Sequence, residues 1–112
     1  MPKRVQSFDP RQNMLGLQME AFHNYDDADR VVDLHHHDFY EVYFFIAGNV
    51  TYNVESRSFL LAPGDILLIA PNELHQPVMA GESQNYERYV MWINKAFLQQ
   101  FDLSEGLATR CF

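Results

Sequence analysis

The sequence has 112 residues, 47% of them apolar and 14% aromatic, with a net charge of −7 and a pI near 5.0. That length allows one domain with its own core, and that apolar content excludes a disordered chain. Its eight Lys and Arg are scattered, which excludes the basic stripe that a duplex-binding surface needs to displace phosphate counterions.

Residues 1–13 are polar, contain Pro2 and Pro10, and predict an extended arm ahead of a folded domain over 14–112. Met1-Pro2-Lys3-Arg4 carries charge with no apolar segment behind it, and is not expected to act as a secretory signal. Residues 14–23 predict a first strand. Residues 24–30, with Asp26, Asp27 and Asp29, predict an acidic turn; their spacing misses a calcium loop, and a solvated loop is expected. Residues 30–37 predict a second strand, apolar first and then running into histidines.

Residues 38–47, rich in Tyr, Phe, Val and Ile, predict the strongest strand, and Gly48-Asn49 marks a tight turn after it. Residues 50–55 alternate Val, Tyr and Val with Thr and Asn, the period of a strand with one buried face. A turn at 56–58, a return strand at 59–62 and a corner at Pro63-Gly64-Asp65 follow. Residues 66–70 predict a short apolar strand stopped by Pro71-Asn72. A strand over 75–79, a polar loop over 80–85, a strand over 86–94 and a short helix over 95–101 complete the pattern. Many short strands at regular turn spacing predict an all-β barrel or sandwich.

The chain ends on apolar Phe112 without a closing element, which predicts continuation in a longer protein. Cys111 is the single cysteine. No disulfide can form within the chain, which predicts a reducing, cytoplasmic setting, and no base near Cys111 in sequence would activate it. The longest apolar runs, 42–47 and 66–71, are too short to span a bilayer.

The chemistry concentrates in His35, His37, Glu41 and His75. On an unbroken strand the three odd-numbered residues share a face, and His75 enters from a second strand. Imidazoles plus one carboxylate suit Zn, Ni, Fe or Mn. Alternation turns His36 and Asp38 away, and nothing near His23 in sequence suggests a role.

His35-x-His37-x3-Glu41-x6-Gly48 resembles the first cupin motif with its spacing intact, except that Asp29 replaces the leading glycine. Gly64 and His75 match the second motif, while Ala70, Asn72 and Met79 replace its proline, second glycine and asparagine. Asn suits the glycine position because it tolerates left-handed backbone. The wording of 37–41, 61–65, 69–75 and 86–90 is similar to the N-terminal sensor domain of AraC-type transcription regulators.

That resemblance implies a cupin-type, jelly-roll-like double-stranded β-helix barrel with a short C-terminal helix. It implies a regulatory domain that binds a small-molecule effector such as a sugar and contributes to a homodimer. In some such sensors a segment like Pro2–Pro10 is an effector-responsive arm, while an ordinary frayed terminus is the plainer expectation. DNA would be contacted only through a C-terminal helix-turn-helix domain absent from this chain, and no membrane is involved. Two readings of the cluster stand side by side: one bound divalent transition metal, or a metal-free polar cluster whose members satisfy one another. The first admits a rival function, a stand-alone metal-dependent cupin enzyme such as a dioxygenase or isomerase; a storage or interaction cupin is a third.

Phe39, Tyr43 and Phe45 share the parity of the histidines, and Arg88 and Trp92 share one face of the last strand. These five are the expected effector-pocket wall, an aromatic surface with an Arg for a sugar or carboxylate. The alternative is a core of aromatics with Arg88 paired to a surface acid. Val42, Phe44 and Ile46 face the other way and need cover from another sheet, from further helices or from a second subunit, intramolecular cover being the plainer expectation.

Overall fold

A computed structural model describes residues 14, 18–26, 34–79 and 85–101. Among these residues seven strands precede one helix: β1 (Met19–Asp26), β2 (Phe39–Ala47), β3 (Val50–Val54), β4 (Arg57–Leu60), β5 (Ile66–Ile69), β6 (His75–Met79), β7 (Tyr86–Asn94) and α1 (Lys95–Phe101). Every pairing between the strands is antiparallel. One sheet has the order β1-β7-β2-β5 and the other β4-β3-β6.

The alternation read from the sequence sets the inner faces. Phe39, Glu41, Tyr43 and Phe45 of β2 are buried, as are Val50, Tyr52 and Val54 of β3. Both sheets feed one core, in which Tyr43, Phe45, Ile69 and Tyr86 meet Val50, Tyr52, Val54 and Leu61. Each such side chain, fully withdrawn from water, contributes roughly 1.5–3 kcal/mol. A bulge between Phe45 and Ala47 bends the end of β2. Gly48 then turns the chain at φ 133°, with the Tyr86 backbone so close that an added Cβ would lie 3.2 Å from its Cα. Only glycine fits such an approach without strain.

The structure differs from the sequence reading at the start of the barrel. β1 begins later than expected and runs on through Asn24 to Asp26, so this part of the acidic turn is strand. The reason is pairing. Asn24 lies opposite Arg88 and Asp26 opposite Tyr86, and Asp26 is buried against the Arg88 guanidinium instead of being solvated. Residues 27–33, including Asp27, Asp29 and the first half of the expected second strand, lie outside the described residues. So do the arm over 1–13, residues 80–84, and the end of the chain with Cys111. The part of the second strand that is described is a single bridge, His35 to His75, followed by a bend at Asp38. The later strands and the helix stand close to where they were expected. β4 starts two residues early because the turn is tightened at Glu55, which takes φ 52°.

The outer face of the four-stranded sheet is apolar. Phe44, Ile66, Leu68 and Tyr89 are exposed, and Val42 and Ile46 are half-buried. Among the described residues, the expected cover over this face is therefore incomplete. Between Ala21, His23, Val42, Phe44, Tyr89 and Met91 it holds an open hollow of about 520 Å³.

Candidate metal and effector site

Three segments bring the histidines together. β6 begins at His75, whose backbone exchanges two hydrogen bonds with His35, at 2.9 and 3.1 Å. The Pro71-Asn72 turn docks on the other side: Asn72, in the left-handed region at φ 67°, donates its N–H to the His37 carbonyl at 2.7 Å. The turn is closed from within, since the Ala70 N–H donates to the Glu73 carboxylate at 2.7 Å. His37 and Glu41 then face the same interior, one before β2 and one within it. The expected convergence is present, although a bridge and a turn hold it where an unbroken strand was expected.

The ring centroids of His35 and His75 are 4.2 Å apart, and those of His37 and His75 4.7 Å. One ligand-type atom from each of the three histidines lies within 4.8 Å of the others. His36 is exposed and turned away, as alternation required. His37 Nδ1 lies 3.1 Å from the Phe39 carbonyl, and His75 Nδ1 lies 2.8 Å from that of Glu73. A carbonyl oxygen only accepts, so both Nδ1 atoms carry hydrogen. The Nε2 of His75 is then a bare lone pair, while the Nε2 of His37 bonds the Glu41 carboxylate only when it too carries hydrogen, a proton it must give up before it can hold a metal. His37 Nε2 is 3.2 Å from Glu41 Oε1, and His75 Nε2 is 3.9 Å from the same oxygen.

Burial pushes the His75 imidazole down to about 4, so this ring is neutral at physiological pH. Its Nε2 is buried with no hydrogen-bond partner. Burial alone would raise the Glu41 carboxyl. The hydrogen bond with His37, the electrostatic pull of the His75 and His37 imidazoles when protonated and the Trp92 N–H more than offset it, and Glu41 is held below the usual carboxylate value. The cluster thus presents an ionised oxygen beside a bare nitrogen lone pair, an arrangement that calls for a cation or a donor between them.

The residues fit a transition metal. Ligand atoms about 2.1 Å from a tetrahedral or octahedral centre stand roughly 3.0–3.5 Å from one another. Glu41 Oε1 is 3.2 Å from His37 Nε2 and 3.9 Å from His75 Nε2, and the histidine atoms lie within 4.8 Å of one another, so the set would close in slightly around an ion. The backbone carbonyls behind His37 and His75 fix the tautomers that such ligation needs. Glu41 adjoins the three-histidine set through a single oxygen.

The five expected wall residues divide. Phe39 stacks on His37 at 3.9 Å, and Trp92 lies 4.8 Å from Phe39, so these two border the cluster. Tyr43, Phe45 and Arg88 are buried deeper in the barrel. The Tyr43 and Tyr86 hydroxyls share a hydrogen bond, and Arg88 lies 4.1 Å over the Tyr86 ring. Burial raises the phenols of Tyr43 and Tyr52 well above their usual range and pushes Tyr86 up to about 12. Arg88 pairs with an acid, as one reading expected, but with buried Asp26 at 2.6 Å and not with a surface acid.

Two relationships were not foreseen. The Trp92 indole N–H donates to Glu41 Oε1 at 3.0 Å, from directly across the β2–β7 pair. His23, expected to be unremarkable, is buried on the outer face, stacks on Tyr89 at 4.2 Å and meets the Glu87 carboxylate at 2.5 Å. Both depend on which strands pair, and parity within one strand carries no such signal.

The family model for the AraC-like ligand binding domain matches residues 16–111. No curated protein matches the sequence. Among solved structures, the chain is similar to the DMSP lyase DddQ of Ruegeria pomeroyi, with a TM-score of 0.60 and 23% identity over 70% of this chain and 39% of that one. It is also similar to a Cupin 2 conserved barrel domain protein of Salinispora arenicola, with a TM-score of 0.60 and 18% identity over 98% and 99% of the two chains. A third likeness is to an RmlC-like cupin with a double-stranded β-helix fold from Methanocaldococcus jannaschii, with a TM-score of 0.61 and 15% identity over 89% and 98%. At these identities the likeness establishes the fold, a cupin double-stranded β-helix. No helix among the described residues is long and apolar enough to cross a membrane.

Proposed function

The chain belongs to the AraC-like ligand binding domain family, and from that premise we propose that it is the effector-sensing module of a transcription regulator, with the His35–His37–Glu41–His75 cluster as its polar anchor. The observation that carries this reading is the buried, partnerless Nε2 of His75 beside an ionised carboxylate. Buried polar atoms in folded proteins are paired, so this nitrogen is matched to something that arrives from outside: a hydroxyl or N–H donor of a small polar effector, or a divalent transition metal through which the effector is held. Phe39 and Trp92 form the nearer wall, with Tyr43, Phe45 and Arg88 behind it. A sugar or a small hydroxy acid suits that combination of aromatic faces, acceptors and a guanidinium.

Binding would act on regulation through differential affinity for two states of the parent protein, in which DNA contact belongs to a helix-turn-helix half outside this chain. The test is a thermal-shift screen of sugars and small carboxylates, with and without Zn²⁺ or Ni²⁺. A ligand at a hundred times its Kd stabilises by about 2.7 kcal/mol, and no compound should be turned over. Turnover without any stabilising ligand would overturn this function.

A second reading, a metal-dependent cupin enzyme, is favoured by one observation, the three histidines within 4.8 Å. A bound transition metal would supply Lewis-acid or oxygen-binding chemistry. In that reading His35, His37 and His75 would hold the ion, Glu41 would supply negative charge, and Phe39 and Trp92 would exclude water. Turnover that survives exchange of the histidines for alanine would remove it.

A further inference from the structure

Trp92 is the only tryptophan in the chain, and it lies opposite Glu41 in the β2–β7 register. Its ring is fixed by Phe22, edge-on at 4.8 Å, and by Phe39, also at 4.8 Å. Phe39 in turn stacks nearly parallel on His37. The indole is thus part of an aromatic frame that ends on a member of the histidine cluster. Its N–H meets the carboxylate oxygen that also faces His37 Nε2 and His75 Nε2.

A buried indole N–H needs an acceptor, but a neutral amide or carbonyl would serve. Burying an ionised carboxylate costs far more than burying an amide. Glu41 is therefore not placed here for the sake of the indole, and the dependence runs the other way. A Glu side chain has three rotatable bonds, and a rigid donor selects among its rotamers.

We infer that Trp92 is the positioning residue of this site: its indole N–H holds the Glu41 carboxylate in the orientation that faces His37 and His75, and so tunes the affinity of the cluster for a divalent transition metal. The inference rests on the metal reading of the cluster for its second half, and on geometry alone for its first. Donors that stand behind a ligand-sphere group change metal affinity about 10–100-fold when removed.

The experiment uses the whole chain with Zn²⁺ as the probe. Because Trp92 is unique, the ¹H–¹⁵N spectrum has one indole resonance, and a charged acceptor shifts it downfield. Glu41→Gln should move that resonance upfield. Zn²⁺ affinity is then measured by calorimetry in a cycle of native, Trp92→Phe, Glu41→Gln and the double variant. Trp92→Phe should weaken Zn²⁺ binding about 10–100-fold in the native background and less than about threefold when residue 41 is Gln. Equal weakening in both backgrounds, with lowered thermal stability, would make Trp92 a packing residue and overturn the inference. An indole resonance indifferent to Glu41→Gln would do the same. If native protein binds no Zn²⁺ but the resonance responds, the metal reading fails, and the positioning of Glu41 by Trp92 stands within a metal-free cluster.

Discussion

Arg88 and Asp26 form an ion pair 2.6 Å long inside the barrel, with both side chains almost wholly withdrawn from water. The guanidinium also covers the Tyr86 ring, whose hydroxyl meets that of Tyr43. A polar line therefore runs from β1 through β7 to β2, below the histidine cluster. A buried ion pair adds little against an apolar replacement of the same shape, but leaving one partner alone is costly.

Asp26→Asn should consequently destabilise the chain by up to about 3–5 kcal/mol, since it removes the charge that balances a buried guanidinium. Asp26→Leu combined with Arg88→Met should recover most of that loss. Chemical denaturation midpoints check both. A single variant that loses less than about 1 kcal/mol would mean that water reaches this pair and that the interior is open at Arg88.

Stability should fall with pH below neutrality. The His75 pKa is lowered by burial from 6.5 to about 4 in the folded chain. Above 6.5 the ring is neutral both folded and unfolded, so it costs nothing. Between 6.5 and 4 the unfolded chain takes up a proton that the folded chain refuses, and up to about 3 kcal/mol is lost. Glu41, held below its usual value, adds a loss in the same direction once pH falls through the ordinary carboxylate range. Denaturant melts at pH 7.5, 5.5 and 4.5 should show this slope, and His75→Phe should flatten its upper part. A native slope that is flat from pH 7.5 to 4.5 would contradict the burial of His75.

Much of this architecture is legible in the sequence. β6, β7 and α1 run over the residues read from the sequence, because the Pro71-Asn72 turn and the polar loop over 80–85 mark where the two strands begin and the apolar spacing of 95–101 is helical. The start of the barrel was not readable. Asn24 and Asp26 have the composition of a loop, and only the register against β7, which buries Asp26 beside Arg88, makes them strand. The histidines were legible because three of the four cluster residues are local in sequence. Trp92 was placed on the pocket wall by parity, but its bond to Glu41 spans 51 residues, and no local pattern encodes a cross-strand partner at that distance.

Metal content offers a direct test of the cluster. Protein purified without added metal should carry close to one divalent transition ion per chain by elemental mass spectrometry. Replacing His37 or His75 by Ala should remove it, because each takes away a ligand whose orientation a backbone carbonyl has already fixed. His36→Ala should leave metal content unchanged, since His36 points to solvent. Loss of metal in the His36 variant, or equal retention in all three, would show that the ion sits elsewhere.

Asn72 links backbone conformation to the site. Its φ of 67° is in the left-handed region, where a side chain with a Cβ costs on the order of 1 kcal/mol and a β-branched one more. Its N–H also anchors the His37 carbonyl at 2.7 Å. Asn72→Gly keeps both the conformation and the N–H, so stability should change by less than about 1 kcal/mol and metal or effector affinity should be retained. Asn72→Val should cost about 1–3 kcal/mol in stability, because the turn must either bear the strain or open. If it opens, His37 loses its tether and ligand affinity falls with stability. Denaturation and Zn²⁺ titration of the two variants read these separately. Valine tolerated as well as glycine on both measures would mean that the turn does not set the position of His37.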